Sequence, residues 1–214
     1  MKIVSTNIGL AQKITWKEKE VETGIFKHPV QGPVLLTKLG VKGDDVANKS
    51  VHGGIDKACY LYSADHYEFW RKRYPNLAWD WGFLGENLTV KGLAESKMHI
   101  GDVLEIGGAI VKITQPRIPC YKLGVKFGTQ TMLKEFLESG FSGVYVKVLQ
   151  EGEVKVGDAV YLVERQSNNL TVADVFSQFI VENRDKYLID KALRDRDLAQ
   201  SMVKDLKRFR ESVV

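Results

Sequence analysis

Residues 102–124 read DVLEIGGAIVKITQPRIPCYKLG. The first thirteen alternate in polarity on either side of Gly107-Gly108, a pair that accepts the positive φ of a tight turn, so they predict a β-hairpin. The segment after Thr114 is chemically unlike a strand. Pro116 and Pro119 each fix φ and withhold an N–H, and between and after them come Arg117, Cys120 and Lys122. A free cysteine titrates near ~8.5, and neighbouring cations favour its thiolate. A stiff loop presenting such a sulfur suits a nucleophile or a ligand for a soft metal, whereas burial at a strand end explains a single cysteine more blandly. The charge around it is one-sided. Between Glu105 and Glu135 there is no acidic side chain, while Lys112, Arg117, Lys122, Lys126 and Lys134 all fall inside. That asymmetry points to a nearby anion.

Outward from this stretch the first two-thirds of the chain reads as β with interruptions. KIVSTN, ITWK, VLLTKL, ACYLYS and NLTV are short runs rich in β-branched and aromatic residues. Residues 143–165 predict a second hairpin region with turns at Glu151-Gly152 and Gly157-Asp158. Two helices interrupt the strands: ADHYEFWRKRY, capped by Ser63 and stopped by Pro75, and MLKEFLES, opened by Thr129 or Thr131 and closed by Gly140. A long β meander with helical insertions predicts a closed barrel. After Gln166-Ser167-Asn168-Asn169 no strand signal remains. Thr171 with Asp174 forms a capping-box pattern, and two further amphipathic segments come after it, YLIDKAL and LAQSMVKDLKRFRESV. The expected fold is therefore α+β: a mainly β barrel over residues 1–166 and a small three-helix bundle over 170–214.

Composition removes several classes. At 214 residues with 44% hydrophobic side chains, the chain can bury a substantial core. No apolar run approaches the roughly 18–20 residues that span a bilayer, and MKIVSTNIGL is a poor secretory signal, so a cytoplasmic protein is expected without membrane attachment. The two cysteines, Cys59 and Cys120, then read as thiols, and neither has zinc-ligand spacing. Cys59 lacks polar surroundings and is assigned to the core. The tail from Thr171 onward carries nine Lys/Arg against eight Asp/Glu, too small an excess for a nucleic-acid reader. Its apolar face can pack on the barrel or on a second subunit, which would make a homo-oligomer.

Four other stretches carry candidate chemistry, each with a plain turn or edge as its alternative. SVHGGIDKACY offers His52 and Asp56 as proton carriers, and Gly53-Gly54 as backbone donors to an anion. GIFKHPVQGPV holds Lys27 and His28 in an extended segment before Pro29. LGENLTV places Glu86 and Asn87 just before a strand, and GDDVANK reads as a turn first and a site second.

In order, KHPV, KGDDVANKSVHGGIDKA, FLGENLT and IGDVLEIGGAIVKITQPRIPCYKL resemble the MOSC domain family, named for the C-terminal part of molybdenum-cofactor sulfurases. The trailing helices resemble the extension of its YiiM-like branch. The resemblance implies a barrel that binds a pyranopterin molybdenum cofactor (Mo-molybdopterin), with Cys120 as the protein ligand to the metal. It further implies cofactor contacts from Lys27, His28, Gly53, Gly54, Asn87, Arg117 and Lys122, and proton supply by Asp56 or His52. Relatives of this kind are associated with reducing N-hydroxylated small molecules such as hydroxylaminopurines and amidoximes. No dinucleotide-binding motif is present, so electrons are expected from a separate reductase. Pyridoxal phosphate is not expected. The alternative is a non-redox carrier of the cofactor or of sulfur, which would need the same reactive thiol.

Overall fold

The computed structural model describes residues 1–45 and 53–212. Among them the strands are β1 Lys2–Ile8, β2 Gln12–Trp16, β3 Lys19–Thr23, β4 His28–Pro29, β5 Val34–Thr37, β6 Gly40–Val41 and β7 Cys59–Ser63. They continue with β8 Leu88–Lys91, β9 Val103–Ile106, β10 Ala109–Pro116, β11 Val144–Gln150, β12 Gly152–Val154 and β13 Val160–Glu164. The α-helices are α1 Tyr67–Arg73, α2 Tyr121–Phe127, α3 Thr131–Ser139, α4 Val172–Ser177, α5 Lys186–Arg194 and α6 Gln200–Ser212.

Eight strands form one sheet in the order β13-β9-β10-β11-β7-β8-β1-β4. Every neighbour is antiparallel except β7 with β8. The sheet closes on itself where the start of β1 meets the approach to β13. There the Ile3 N–H donates to the Asp158 carbonyl and the Val160 N–H to the Met1 carbonyl, each at 2.9 Å, and Lys2 bridges Ala159. Closure leaves few strand edges bare and makes the fold the expected α+β barrel. Alternate side chains of the strands turn inward, so Ile3, Leu88, Val90, Leu104, Ile106, Val111, Ile113 and Val146 are wholly buried in the interior.

The hairpin over residues 103–116 forms as the sequence predicts, with Gly107 at φ 56°. The second predicted hairpin region does not. β11 pairs with β10 and β7, β12 leaves to pair with β5, and β13 pairs with β9. The cause is a close backbone crossing. Gly108 donates its N–H to Glu153, and a Cβ on Gly152 would come within 2.2 Å of the Gly108 carbonyl. The chain at Glu151-Gly152 is thus held against the β9–β10 turn and cannot fold back along β11.

Both predicted helical insertions are present, with Gly140 ending α3 at φ 74°. Ser63 does not cap the first: its hydroxyl is buried and makes no cap bond. α2 has no counterpart in the sequence reading, because it is short and has Gly124 at its middle. That glycine is where Gln130 packs across the helix, and a Cβ there would meet the Gln130 amide at 2.4 Å. A two-residue turn of Lys17 and Glu18, both at positive φ (49° and 63°), joins β2 to β3 without the glycine or asparagine that would announce it.

The Thr171–Asp174 capping box forms and opens α4. From there the tail is joined to the barrel. Ile100 and Val172 donate backbone bonds across to Leu170 and Met98, Ala199 donates to Thr114, and Ser201 bonds Gln115 at 3.0 Å. Val172, Val175, Ile189, Leu198, Met202 and Leu206 belong to one apolar cluster with the barrel interior. Ending the chain at Asn168 is expected to lower the thermal midpoint by about 10 °C or more. Uncovering two leucine-sized side chains already forfeits about 4 kcal/mol, and each ~1 kcal/mol moves the midpoint of a chain this size by about 2–4 °C. A truncated chain that melts at the full-length temperature would show that residues 1–166 are self-sufficient.

Candidate active site

β10 ends at Pro116, and five residues later α2 begins, with the Leu123 N–H donating to the Cys120 carbonyl at 2.9 Å. Cys120 is the extended residue at this strand-to-helix corner (φ −128°, ψ 166°), and its thiol is half-buried. It opens onto a cavity of about 250 Å³ whose wall also includes Lys27, Asp44, Gly53, Lys57, Tyr60, Asn87, Arg117, Lys122 and Tyr145. Residues from six separate parts of the chain thus share one cavity wall with the thiol.

Each buried charge on this wall has a structural reason. Lys27 forms an ion pair with Asp44, and both side chains are almost completely withdrawn from solvent. Asp44 is the hub: it also accepts the Asn87 amide at 3.0 Å and the Gly9 N–H at 2.8 Å. Asn87 in turn accepts the Tyr60 N–H at 3.2 Å, which ties the GENL loop to β7. Arg117 is buried with its guanidinium 5.4 Å from the Tyr60 ring centre and 5.2 Å from that of Phe136, and its Nη1 has no hydrogen-bond partner among the described residues. Tyr145 stacks obliquely on Tyr60 at 4.9 Å. Burial raises its phenol, with Arg117 opposing the shift. Lys122 sends its ammonium to the Glu22 carbonyl at 2.7 Å.

Two further withdrawn titratable groups, Glu86 and Lys126, lie off the cavity wall. Glu86 is fully buried, and one of its oxygens accepts from Tyr67, from Gly82 at 2.9 Å and from Thr89 at 2.8 Å. The other oxygen has no partner among the described residues, and burial raises the carboxyl. Lys126 lies near it, bonded to the Ile25 and Gly82 carbonyls, and burial lowers its ammonium to about 7.

Of the residues expected from the sequence, Cys120, Lys27, Gly53, Asn87, Arg117 and Lys122 come together on this cavity. His28 does not: it is exposed on β4. Gly54 is exposed and is not part of the wall. Asp56 is also off the wall, in a short turn over Ile55–Lys57 where its carbonyl accepts the Thr114 hydroxyl at 2.6 Å. His52 lies outside the described residues, as does the end of GDDVANK. Cys59 is core as expected, with burial pushing its thiol up. Sequence reasoning read Asp44 within GDDVANK as a turn first and passed over Tyr60 and Tyr145, because a turn aspartate and two strand tyrosines look ordinary until the barrel closes.

The comparisons identify the family and the fold. The MOSC domain model matches residues 48–161, and the chain belongs to the MOSC domain family. YflK of Bacillus subtilis (strain 168), described as uncharacterized, is 39% identical over 170 residues, covering 79% of this chain and 76% of that protein. YiiM of Escherichia coli (strain K12) is 36% identical over 148 residues, 68% of this chain and 66% of its own. A Gibberella moniliformis protein named a reductase is 34% identical over 159 residues, which are 73% of this chain and 28% of that one. The crystal structure of YiiM from Geobacillus stearothermophilus superposes with a TM-score of 0.80 at 31% identity, covering 98% of each chain. No helix among the described residues is long and apolar enough to cross a membrane.

Removing one member of a buried ion pair leaves the other charge uncompensated, at a cost of about 3–5 kcal/mol. Asp44→Asn is therefore expected to lose about that much stability in urea unfolding. Lys27→Met in the same chain should recover part of the loss, a positive coupling in the double-mutant cycle. Additive losses would show that the two groups do not depend on each other.

Proposed function

We propose that this chain is a molybdenum-dependent oxidoreductase that reduces N-hydroxylated small molecules at the Cys120 cavity, with electrons from a separate reductase protein. The observation that carries the reading is the convergence of one half-buried thiol with Lys27, Lys57, Arg117 and Lys122 on a single cavity. The relative named a reductase supports the redox class.

The donor set fits a pyranopterin molybdenum cofactor. Cys120 is the one sulfur among the described wall residues, so a metal held here takes its other ligands from the group that brings it. A thiolate suits a metal already bound by sulfur. The Nη1 of Arg117, without a partner among the described residues, is a buried donor of the kind an anionic or carbonyl group satisfies. When bound, the cofactor supplies a two-electron, oxygen-accepting centre. Cys120 would hold it, Arg117 and Lys57 would face its anionic parts, and the Asp44–Lys27–Asn87 network would keep the wall in place. The net reaction takes R–NHOH, two electrons and two protons to R–NH₂ and water. Asp56 is off the wall, so protons would reach the cavity through the Tyr145 phenol or Asp45.

Chain made in cofactor-competent cells is expected to hold close to one molybdenum and one pterin, and Cys120→Ala to lose the metal. The loaded protein should reduce a hydroxylamine or an amidoxime with an artificial electron donor. Metal retained by Cys120→Ala would overturn the ligand assignment. Full loading without turnover across such substrates would replace the enzyme with the carrier of cofactor or sulfur.

A further inference from the structure

The cations that made the window after Glu105 look like an anion site have a second use. Lys122 and Lys126 are four apart on α2, hence on one face, and both spend their ammonium on main-chain carbonyls. Lys122 bonds Glu22 at 2.7 Å, while Lys126 bonds Ile25 at 3.1 Å and Gly82 at 3.3 Å. Glu22 lies near the end of β3 and Ile25 just past it, in the run where Thr23, Gly24, Ile25 and Lys27 form part of the cavity wall. The β2–β3 ribbon feeding that run pairs with no other described strand. The wall is therefore tied to the thiol's helix by side chains rather than by a sheet ladder. One more tie is aromatic: Trp16 stacks on Tyr121, the residue after Cys120, at 5.0 Å and 24°.

We infer that Lys126, with Lys122 one turn before it, is a positioning residue that clamps the 22–27 wall onto α2, and that this clamp governs access of bulky molecules to Cys120. The groups facing the Lys126 ammonium are Glu86 at the base of the Gly82 loop, Arg117 after β10 and Lys27 at the far end of the wall. The Phe83 and Phe26 rings lie 4.7 and 5.4 Å from it. Its low ammonium pKa gives the clamp a direction with pH. Below about 7 the charged amine is attracted to Glu86 and offers three donors; above it, one donor and the attraction are lost. The clamp should loosen as pH rises through neutrality. This inference stands apart from the proposed reaction, since it concerns the protein alone.

The test uses full-length chain from molybdenum-depleted cells, labelled in parallel with iodoacetamide and with fluorescein maleimide. The ratio of the two rates at Cys120 cancels its thiolate fraction and reads steric access. Buried Cys59 in the same sample reports unfolding. Losing charge-assisted hydrogen bonds of this kind is expected to raise the bulky-to-small ratio about tenfold in Lys126→Met. Amide exchange should rise at residues 22–27 and 82–85 with Cys59 still protected. Lys122→Met, which removes only the Glu22 tie, should raise the ratio less and loosen the end of the ribbon. If Lys126→Met unfolds and labels at Cys59, the Lys122→Met result decides. In the unmodified chain the ratio should climb as pH passes from one unit below to one unit above about 7. A folded Lys126→Met, or a Lys122→Met, with unchanged ratio and exchange would overturn the clamp. A ratio flat with pH would remove Lys126 protonation from it.

Discussion

Three cations, those of Lys27, Arg117 and Lys122, are withdrawn from water on the wall that also carries the thiol, with Lys126 part-buried one helical turn beyond, and a cation so placed must be paired or hydrogen-bonded. Much of the local architecture is set by how each is satisfied. Lys27 takes a carboxylate, Asp44, and that carboxylate then orders Asn87 and the Gly9 backbone. Lys122 and Lys126 take carbonyls, which fastens a wall segment to α2. Arg117 takes aromatic faces and leaves one nitrogen without a partner among the described residues. Burying charge is costly, and the return is a cavity whose wall is specified by polar contacts at several points rather than by packing alone.

This arrangement couples the barrel to its site. β10 delivers Arg117 and Cys120, β7 delivers Tyr60 and Ala58, and the GENL loop delivers Asn87. None of these three segments is a neighbour of another in sequence, and they meet because β10, β11, β7 and β8 are consecutive in the sheet, the GENL loop leading into β8. Glu86 extends the same network outward to Tyr67 on α1, so the helical insertion supports the loop beside the cavity. The C-terminal helices reach the barrel by a different route, through Lys112 and Asp197 at 3.0 Å and through the shared apolar cluster.

Much of this was legible in the sequence. The polarity pattern and Gly107-Gly108 located the β9–β10 hairpin, Thr171 with Asp174 located the start of the tail, and the Pro–Arg–Ile–Pro–Cys run located the thiol. These signals are local: each depends on residues within a few positions of one another. The second hairpin region misled because turn chemistry at Glu151-Gly152 shows that the chain reverses, not which strand it meets next. α2 was hidden because a glycine in a short helix argues against helix unless the residue that fills its place, Gln130, is known.

By itself the amino-acid sequence determined that the chain forms a β-rich barrel with a helical tail, that Cys120 lies in a stiff and cationic loop, and that a family pattern runs through KHPV, GENL and QPRIPC. Only the tertiary structure decided which charges share the cavity. It brought in Asp44, Tyr60 and Tyr145, and it left His28 and Asp56 off the wall. It also assigned the Lys122 and Lys126 ammonium groups to carbonyls. The physical reason is that a side chain's environment depends on which strand closes beside it and how deeply its charge is buried, and both are set by contacts between residues far apart in the chain.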